Sequence, residues 1–222
     1  MTEPEMKIID GSTQGTFSPV YYRLHGYKAV GLIDTEANGD IDVYLAAKNK
    51  HGRVMHWYNE FLQNTAVCLI EAELRHYDTI LYPESSMPLT CDLAKMLARP
   101  YHQIKKRTVA EISTCVENMV LMKDERASIN ARLNEMQGSF QLHKMKANQR
   151  KRFEPLLFNP DSCPHIMGHN VLIVDDSAFT GSTVKALADL AMQRLANDVV
   201  ILTLFWCSSL QKESDNWHES FS

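Results

Sequence analysis

The run Val171-Leu172-Ile173-Val174-Asp175-Asp176-Ser177-Ala178-Phe179-Thr180-Gly181-Ser182-Thr183 constrains this chain more than any other stretch. Consecutive apolar residues, mostly β-branched, read as a strand buried on both faces, the environment of a parallel sheet covered by helices. Asp175 and Asp176 stand where that strand must end, so they belong to a site and not to the core. Thr180, Gly181, Ser182 and Thr183 make a short polar turn. Val184, Leu187, Ala188, Leu190 and Ala191 then have the apolar spacing of a helix that starts there. The N-terminus of such a helix is an anion site, because its unpaired backbone N–H groups point outward and its dipole favours negative charge. Carboxylates cannot hold phosphate, but each can accept hydrogen bonds from vicinal hydroxyls. The stretch therefore reads as a place for a sugar phosphate.

The same residues resemble the PRPP-binding motif of type I phosphoribosyltransferases, in which four apolar residues precede two acids and a Thr-Gly-containing phosphate loop. The resemblance implies an α/β fold with an open, mainly parallel, doubly wound sheet. It also implies that Asp175 and Asp176 bind the ribose 2′ and 3′ hydroxyls of PRPP. Ser177, Ala178, Phe179, Thr180, Gly181, Ser182 and Thr183 would hold its 5′-phosphate. The start Val-Leu-Ile-Val-Asp-Asp also looks like that of a response-regulator receiver domain. A receiver needs several further βα units after its acid pair, whereas residues 177–222 hold one helix, one strand and a tail. The phosphate-cradle reading is therefore preferred, with a ligand-free strand end as the plain alternative.

At 222 residues with 45% hydrophobic content, the chain suits one sizeable α/β domain with an appendage. A formal net charge of −4 argues against a broad nucleic-acid footprint. No apolar run reaches the length of a membrane span, and the polar start is no signal peptide, so a cytoplasmic protein without membrane association is expected. Cys68, Cys91, Cys115, Cys163 and Cys207 include no CxxC pair, which fits reduced thiols. Residues 1–27 read as a loose lead-in. Ala29–Ile33 is a strand candidate, Asn38-Gly39 a hairpin turn, and Ile41–Leu45 alternates with period two. Residues 1–52 are thus expected to form a lead-in and β-hairpin, a candidate hood, and residues 53–222 the phosphoribosyltransferase-like domain. Within the latter, apolar spacing from Val54 to Ala72 predicts a long amphipathic helix.

Asp78–Tyr82 reads as the next strand, followed by a polar turn and a helix opened by Pro88, a second anion-binding arrangement. It resembles the family's pyrophosphate loop, which would assign Glu84, Ser85, Ser86 and Met87 to pyrophosphate. Tyr101–Ile104 is a short strand candidate. By the same resemblance Lys105, Lys106 and Arg107 would lie in a mobile loop that neutralises pyrophosphate during catalysis; a solvated basic turn is the plain reading. Ile112, Val116, Met119 and Val120, then Ile129, Leu133, Met136 and Phe140, predict a helical insertion over about 109–152. It could serve as hood, lid or dimer surface, and a homodimer is expected. Lys144, Lys146, Arg150, Lys151 and Arg152 form a basic run of the kind usually only solvated. Cys163, His165 and His169 lack the fourth ligand of a closed zinc site, so a loop is expected there. Val199–Phe205 is a second buried strand, ending in Trp206, a candidate for base contact.

What the resemblance implies chemically is displacement of pyrophosphate from PRPP by a nitrogen acceptor, usually a nucleobase, with Mg2+ bound through the diphosphate. The protein's own metal ligands are not visible in the sequence. Phe179 stands where the hypoxanthine and guanine enzymes of the family carry an Asp assigned as general base, and Phe cannot take a proton. The adenine and orotate enzymes do not rely on an acid there. Two functions follow from the pattern: a phosphoribosyltransferase with a small-molecule acceptor, or a non-catalytic PRPP or nucleotide sensor.

Overall fold

The computed structural model describes residues 5–7, 14–16, 19–34, 67, 70, 74, 76–84, 89–136, 138–141, 144–150, 152–157, 165–178 and 181–206. A small antiparallel pair, β1 (Glu5–Lys7) and β2 (Gln14–Thr16), stands apart from the main sheet. That sheet contains β3 (Val20–Leu24), β4 (Tyr27–Asp34), β5 (Thr79–Pro83), β6 (Tyr101–Lys106), β7 (Leu156–Leu157), β8 (Asn170–Ala178) and β9 (Asp198–Trp206). The helices are α1 (Leu89–Met96), α2 (Val109–Asn118), α3 (Lys123–Asn134), α4 (Ala147–Arg150) and α5 (Ser182–Gln193). None of the described helices is long and apolar enough to cross a membrane.

The strand order is β3-β4-β9-β8-β5-β6-β7. Neighbours from β4 through β9, β8 and β5 to β6 run parallel, and β3 and β7 close the two edges antiparallel. This is the mixed α/β, mainly parallel sheet expected from the sequence. Helices cover both faces, so the central strands are apolar throughout. Leu172 and Val174 pack with Ile80, Tyr82 and α1 (Leu93, Ala94) on one face. Val171 and Ile173 pack with Leu81, Ile104 and α5 (Val184, Leu187, Ala188, Ala191) on the other. Each run of apolar residues in β8 is thereby shared between two cores.

The order also sets where a ligand goes. From β5 the chain passes through α1 to β6, on one side; from β8 it passes through α5 to β9, on the other. The adjacent strands β5 and β8 therefore flank the point where the winding reverses, and the crevice outside their carboxyl ends is the usual ligand position in such sheets.

The N-terminal strands differ from the sequence-based expectation. The strand at 29–33 is present, but its hairpin partner is β3, reached through His25 and Gly26. Between Lys28 and Gly31 its other edge pairs with β9, so both edges of this stretch are taken by β3 and β9. Residues 35–50 and most of 54–72 lie outside the described residues. The stretch read as lead-in thus supplies a sheet edge: Tyr22 is fully buried and its hydroxyl is 3.3 Å from Thr203 Oγ1.

The insertion folds as expected around its own core, in which Ile112, Val116, Ile129, Leu133, Met136 and Phe140 meet Met145 and Phe153. Thr108 and Glu111 form a reciprocal capping box at the start of α2. Arg126 of α3 donates to the carbonyls of Glu117 and Met119 at the end of α2, closing the helical hairpin. Val120, expected on the apolar stripe, is instead fully exposed in the turn between the helices.

Candidate functional site

Asp175 and Asp176 sit near the carboxyl end of β8, beside the reversal point. Asp175 continues the α5-facing side of β8 and is 7% exposed, whereas Asp176 is half-buried. The backbone N–H of Asp176 donates to Asp175 Oδ1 at 2.9 Å, and Ser177 Oγ donates to Asp176 Oδ1 at 3.3 Å. Burial pushes the Asp175 carboxyl well above the usual carboxylate range; the adjacent Asp176 adds to this through its charge and a hydrogen bond. Lys106 and the Asp176 N–H act in the opposite direction. The charge of Lys106 acts on this carboxyl from two strands away because Ile104 and Lys106 share one face of β6 by the two-residue period, the face on which Ile104 packs with Ile173.

Glu84 joins β5 to β6 at the same edge. Its N–H donates to the Ile104 carbonyl at 2.8 Å, and its Oε2 accepts from the Lys106 N–H at 3.2 Å. Ser85, Ser86 and Met87 of the expected pyrophosphate loop lie outside the described residues, as do Phe179 and Thr180 of the expected phosphate loop.

The basic triplet is placed differently from the mobile loop the resemblance implied. Lys105 and Lys106 are the last residues of β6, paired with Leu157 and Leu156 of β7, and the Arg107 N–H donates to the Pro155 carbonyl at 2.9 Å. Backbone pairing holds them because the insertion leaves from β6 and returns at once along β7. Lys105 faces solvent and Lys106 faces the acid pair's side. Arg107 is one-quarter exposed, its guanidinium 4.0 Å from Glu154, while its Nε is buried without a hydrogen-bond partner.

Gly181 is the N-cap of α5 at φ +65°, in the left-handed region that favours glycine. Ser182 and Thr183 form the first turn, half-buried, and the Lys185 N–H donates back to the Gly181 carbonyl at 2.9 Å. A Cβ on Gly181 would lie 2.9 Å from Leu24 Cδ1 and 3.0 Å from His25 Nε2. The β3–β4 turn therefore abuts the expected phosphate loop, and His25 is a site neighbour that sequence reasoning missed. Nothing local marks it, because the contact joins residues far apart in the chain.

No protein-family model matches the chain, and no curated protein matches it in sequence. Its fold is similar to that of a hypoxanthine phosphoribosyltransferase from Staphylococcus aureus, 15% identical, with a TM-score of 0.40 over 70% of this chain and 68% of that one. A hypoxanthine-guanine phosphoribosyltransferase from Bacillus anthracis is 14% identical, with a TM-score of 0.42 over 70% and 72% of the two chains. An adenine phosphoribosyltransferase from Thermoanaerobacter pseudethanolicus is 17% identical, with a TM-score of 0.38 over 71% and 83%. These are distant likenesses of fold.

Trp206 does not line an open surface. It is 3% exposed, stacks on Tyr22 at 5.1 Å between ring centroids, and covers Gly31, where a Cβ would lie 2.3 Å from its ring. The two-residue alternation of β9 breaks at its end: Leu202, Leu204 and also Phe205 face the α1 core, and Trp206 joins the α5 core. Its indole is thus core and not a base platform. Among the described residues no group of three or more His, Cys, Asp or Glu could hold a metal ion. His169 Nδ1 lies 2.9 Å from Thr79 Oγ1, His165 is exposed, and Cys163 lies outside the described residues.

Proposed function

We propose that this protein binds PRPP at the carboxyl ends of β5 and β8 and transfers its ribose 5-phosphate to a nitrogen acceptor of the nucleobase class, with release of pyrophosphate. The observation that carries this reading is the acid pair Asp175–Asp176 at the winding reversal, in the strand that ends at Ala178, shortly before α5 begins at Ser182. Carboxylate oxygens suit vicinal ribose hydroxyls, and the first-turn amides of α5 suit the 5′-phosphate. Glu84, directly after β5, would stand on the side where the diphosphate extends. Lys106 supplies positive charge to the same edge, and electrostatic stabilisation of charge building on pyrophosphate is the main task of such a site.

Mg2+ fits this donor set in one manner. It takes oxygen ligands, keeps several waters, and is commonly held by one or two carboxylates plus substrate phosphates instead of a full protein cage. Asp176, the more accessible acid, and Glu84 are the oxygen donors on this edge that would share in holding it. When bound on the diphosphate, Mg2+ neutralises part of the leaving group's charge. The chain's own residues bind the hydroxyls, orient the phosphate and exclude water through the buried Asp175 end of the strand.

The pinning of Lys105, Lys106 and Arg107 against β7 favours a second reading, a PRPP or nucleotide sensor without turnover. Pyrophosphate release from PRPP and Mg2+ with pooled nucleobases distinguishes the two. Release that vanishes in the Asp175→Asn, Asp176→Asn double variant supports the transferase. PRPP binding without release supports the sensor, and PRPP binding unchanged in the double variant removes both.

A further inference from the structure

We propose that the pocket at the amino ends of β8 and β9 binds a small, uncharged, planar ring with a lactam edge, a pyrimidinone by class. The pocket holds about 140 Å³. An apolar cavity of about 150 Å³ admits one benzene ring, so this one suits a single six-membered ring. Its walls are apolar: Leu172 and Val200 come from the sheet, and Leu74 and Tyr77 from the chain that enters β5. Tyr77 is 6% exposed, and the Arg99 guanidinium lies over its ring at 5.7 Å, which holds the aromatic wall in place.

The polar lining residues, His76, Asn170, Asn197 and Asp198, are exposed or half-buried and so stand at the mouth. Asn170 is fixed at four points. Its N–H donates to Asp78 Oδ2 at 2.8 Å, and its carbonyl accepts from the Asp78 N–H at 2.7 Å. Its Nδ2 donates to the His76 carbonyl at 2.9 Å, and its Oδ1 accepts from Asn197 Nδ2 at 2.8 Å. A carboxamide nitrogen carries two hydrogens and its oxygen two lone pairs, so the Asn170–Asn197 pair keeps donor and acceptor capacity after these bonds. A lactam sets an N–H beside a C=O, which complements a carboxamide. The carboxylate at the mouth, Asp198, is paired with Lys28 Nζ at 2.9 Å and accepts from the Val199 N–H, so the site calls for a neutral ligand. Apolar walls with a few fixed polar groups at one edge are the usual make-up of a small-molecule site. The pocket lies at the end of the sheet opposite Asp175 and Asp176, so its ligand stands apart from the proposed PRPP reaction.

The test titrates the full-length protein with uracil, without PRPP, and follows NMR signals of the methyl groups and side-chain amides. Those of Leu74, Leu172, Val200, Asn170 and Asn197 are expected to move together and to saturate at millimolar uracil. The Asp175→Asn, Asp176→Asn double variant should bind uracil as the wild type does, whatever its effect on PRPP. N,N′-dimethyluracil, the same ring without a lactam N–H, should bind about tenfold more weakly. Asn197→Ala, at an exposed position, should weaken uracil by about fivefold, and Val200→Phe, which fills the cavity, should abolish the shifts. No movement of these signals, movement confined to the carboxyl ends of β5 and β8, equal binding of the two rings, or uracil binding unchanged by Asn197→Ala overturns the proposal.

Discussion

Asp175 is a carboxyl at the end of an apolar strand with a second carboxyl beside it, and the fold holds it nearly out of water. Its upward shift from the ordinary value of 3.8 means that the folded state keeps a proton which the unfolded chain releases. Stability from this group is complete below 3.8 and is lost as pH rises toward the folded-state value. Asp175→Asn removes the titration while keeping the shape. Between ~pH 4 and neutrality the variant's denaturant midpoint should therefore gain on that of the wild type. Parallel midpoints across that range would show that ionising Asp175 costs the fold nothing. Gly181 presents the steric counterpart. Gly181→Ala puts a Cβ against Leu24 at a positive φ, and is expected to lower stability by roughly 1–2 kcal/mol in urea unfolding. A variant as stable as the wild type would show that the β3–β4 turn yields at that contact.

The helical insertion carries its own apolar core, so damage there should stay there. Leu133 is 1% exposed among Ile112, Val116 and Ile129. Leu133→Ala is expected to cost about 2–5 kcal/mol, felt first within the insertion. Hydrogen exchange should show faster amide exchange in α2 and α3 while β5, β8 and β9 keep their protection; loss of protection in all of them together would mean that insertion and sheet unfold as one unit. These helices were legible because their spacing is local, and β8 because a run such as Val171–Val174 admits few other buried structures. The β3 strand was not, since Tyr22 and Leu24 owe their burial to Trp206, Thr203 and α5, remote in sequence. Lys105 and Lys106 read as a loop because their strand character comes from pairing with β7. Trp206 read as a base-contact candidate because the break in alternation after Leu204 follows from packing and leaves no mark in composition. The acids and the glycine of the candidate site could be singled out for the opposite reason: they are close neighbours in the chain, between an apolar run and a helical spacing.

The two ends of the insertion meet where it leaves the sheet, and this shapes a prediction about the whole chain. The Arg107 N–H bonds to the Pro155 carbonyl at 2.9 Å, and the Phe140 N–H bonds to the Arg107 carbonyl at 2.8 Å. A chain that joins Thr108 to Glu154 through a short Gly-Ser link would close a small loop at modest entropic cost. Asp175, Asp176, Glu84 and Gly181 all lie outside the excised segment, as do both faces of the main sheet. The shortened protein is therefore expected to fold. If the proposed PRPP site is correct, a ligand bound only by the native state adds RT ln(1 + [L]/Kd), about 2.7 kcal/mol at a hundredfold excess over Kd. PRPP should then raise the melting temperature of the shortened and full-length proteins alike, and of neither once Asp175 and Asp176 are both Asn. A shift confined to the full-length protein would instead assign part of the binding energy to the insertion, and would make Arg107, whose Nε is buried without a partner at its base, the first residue to replace.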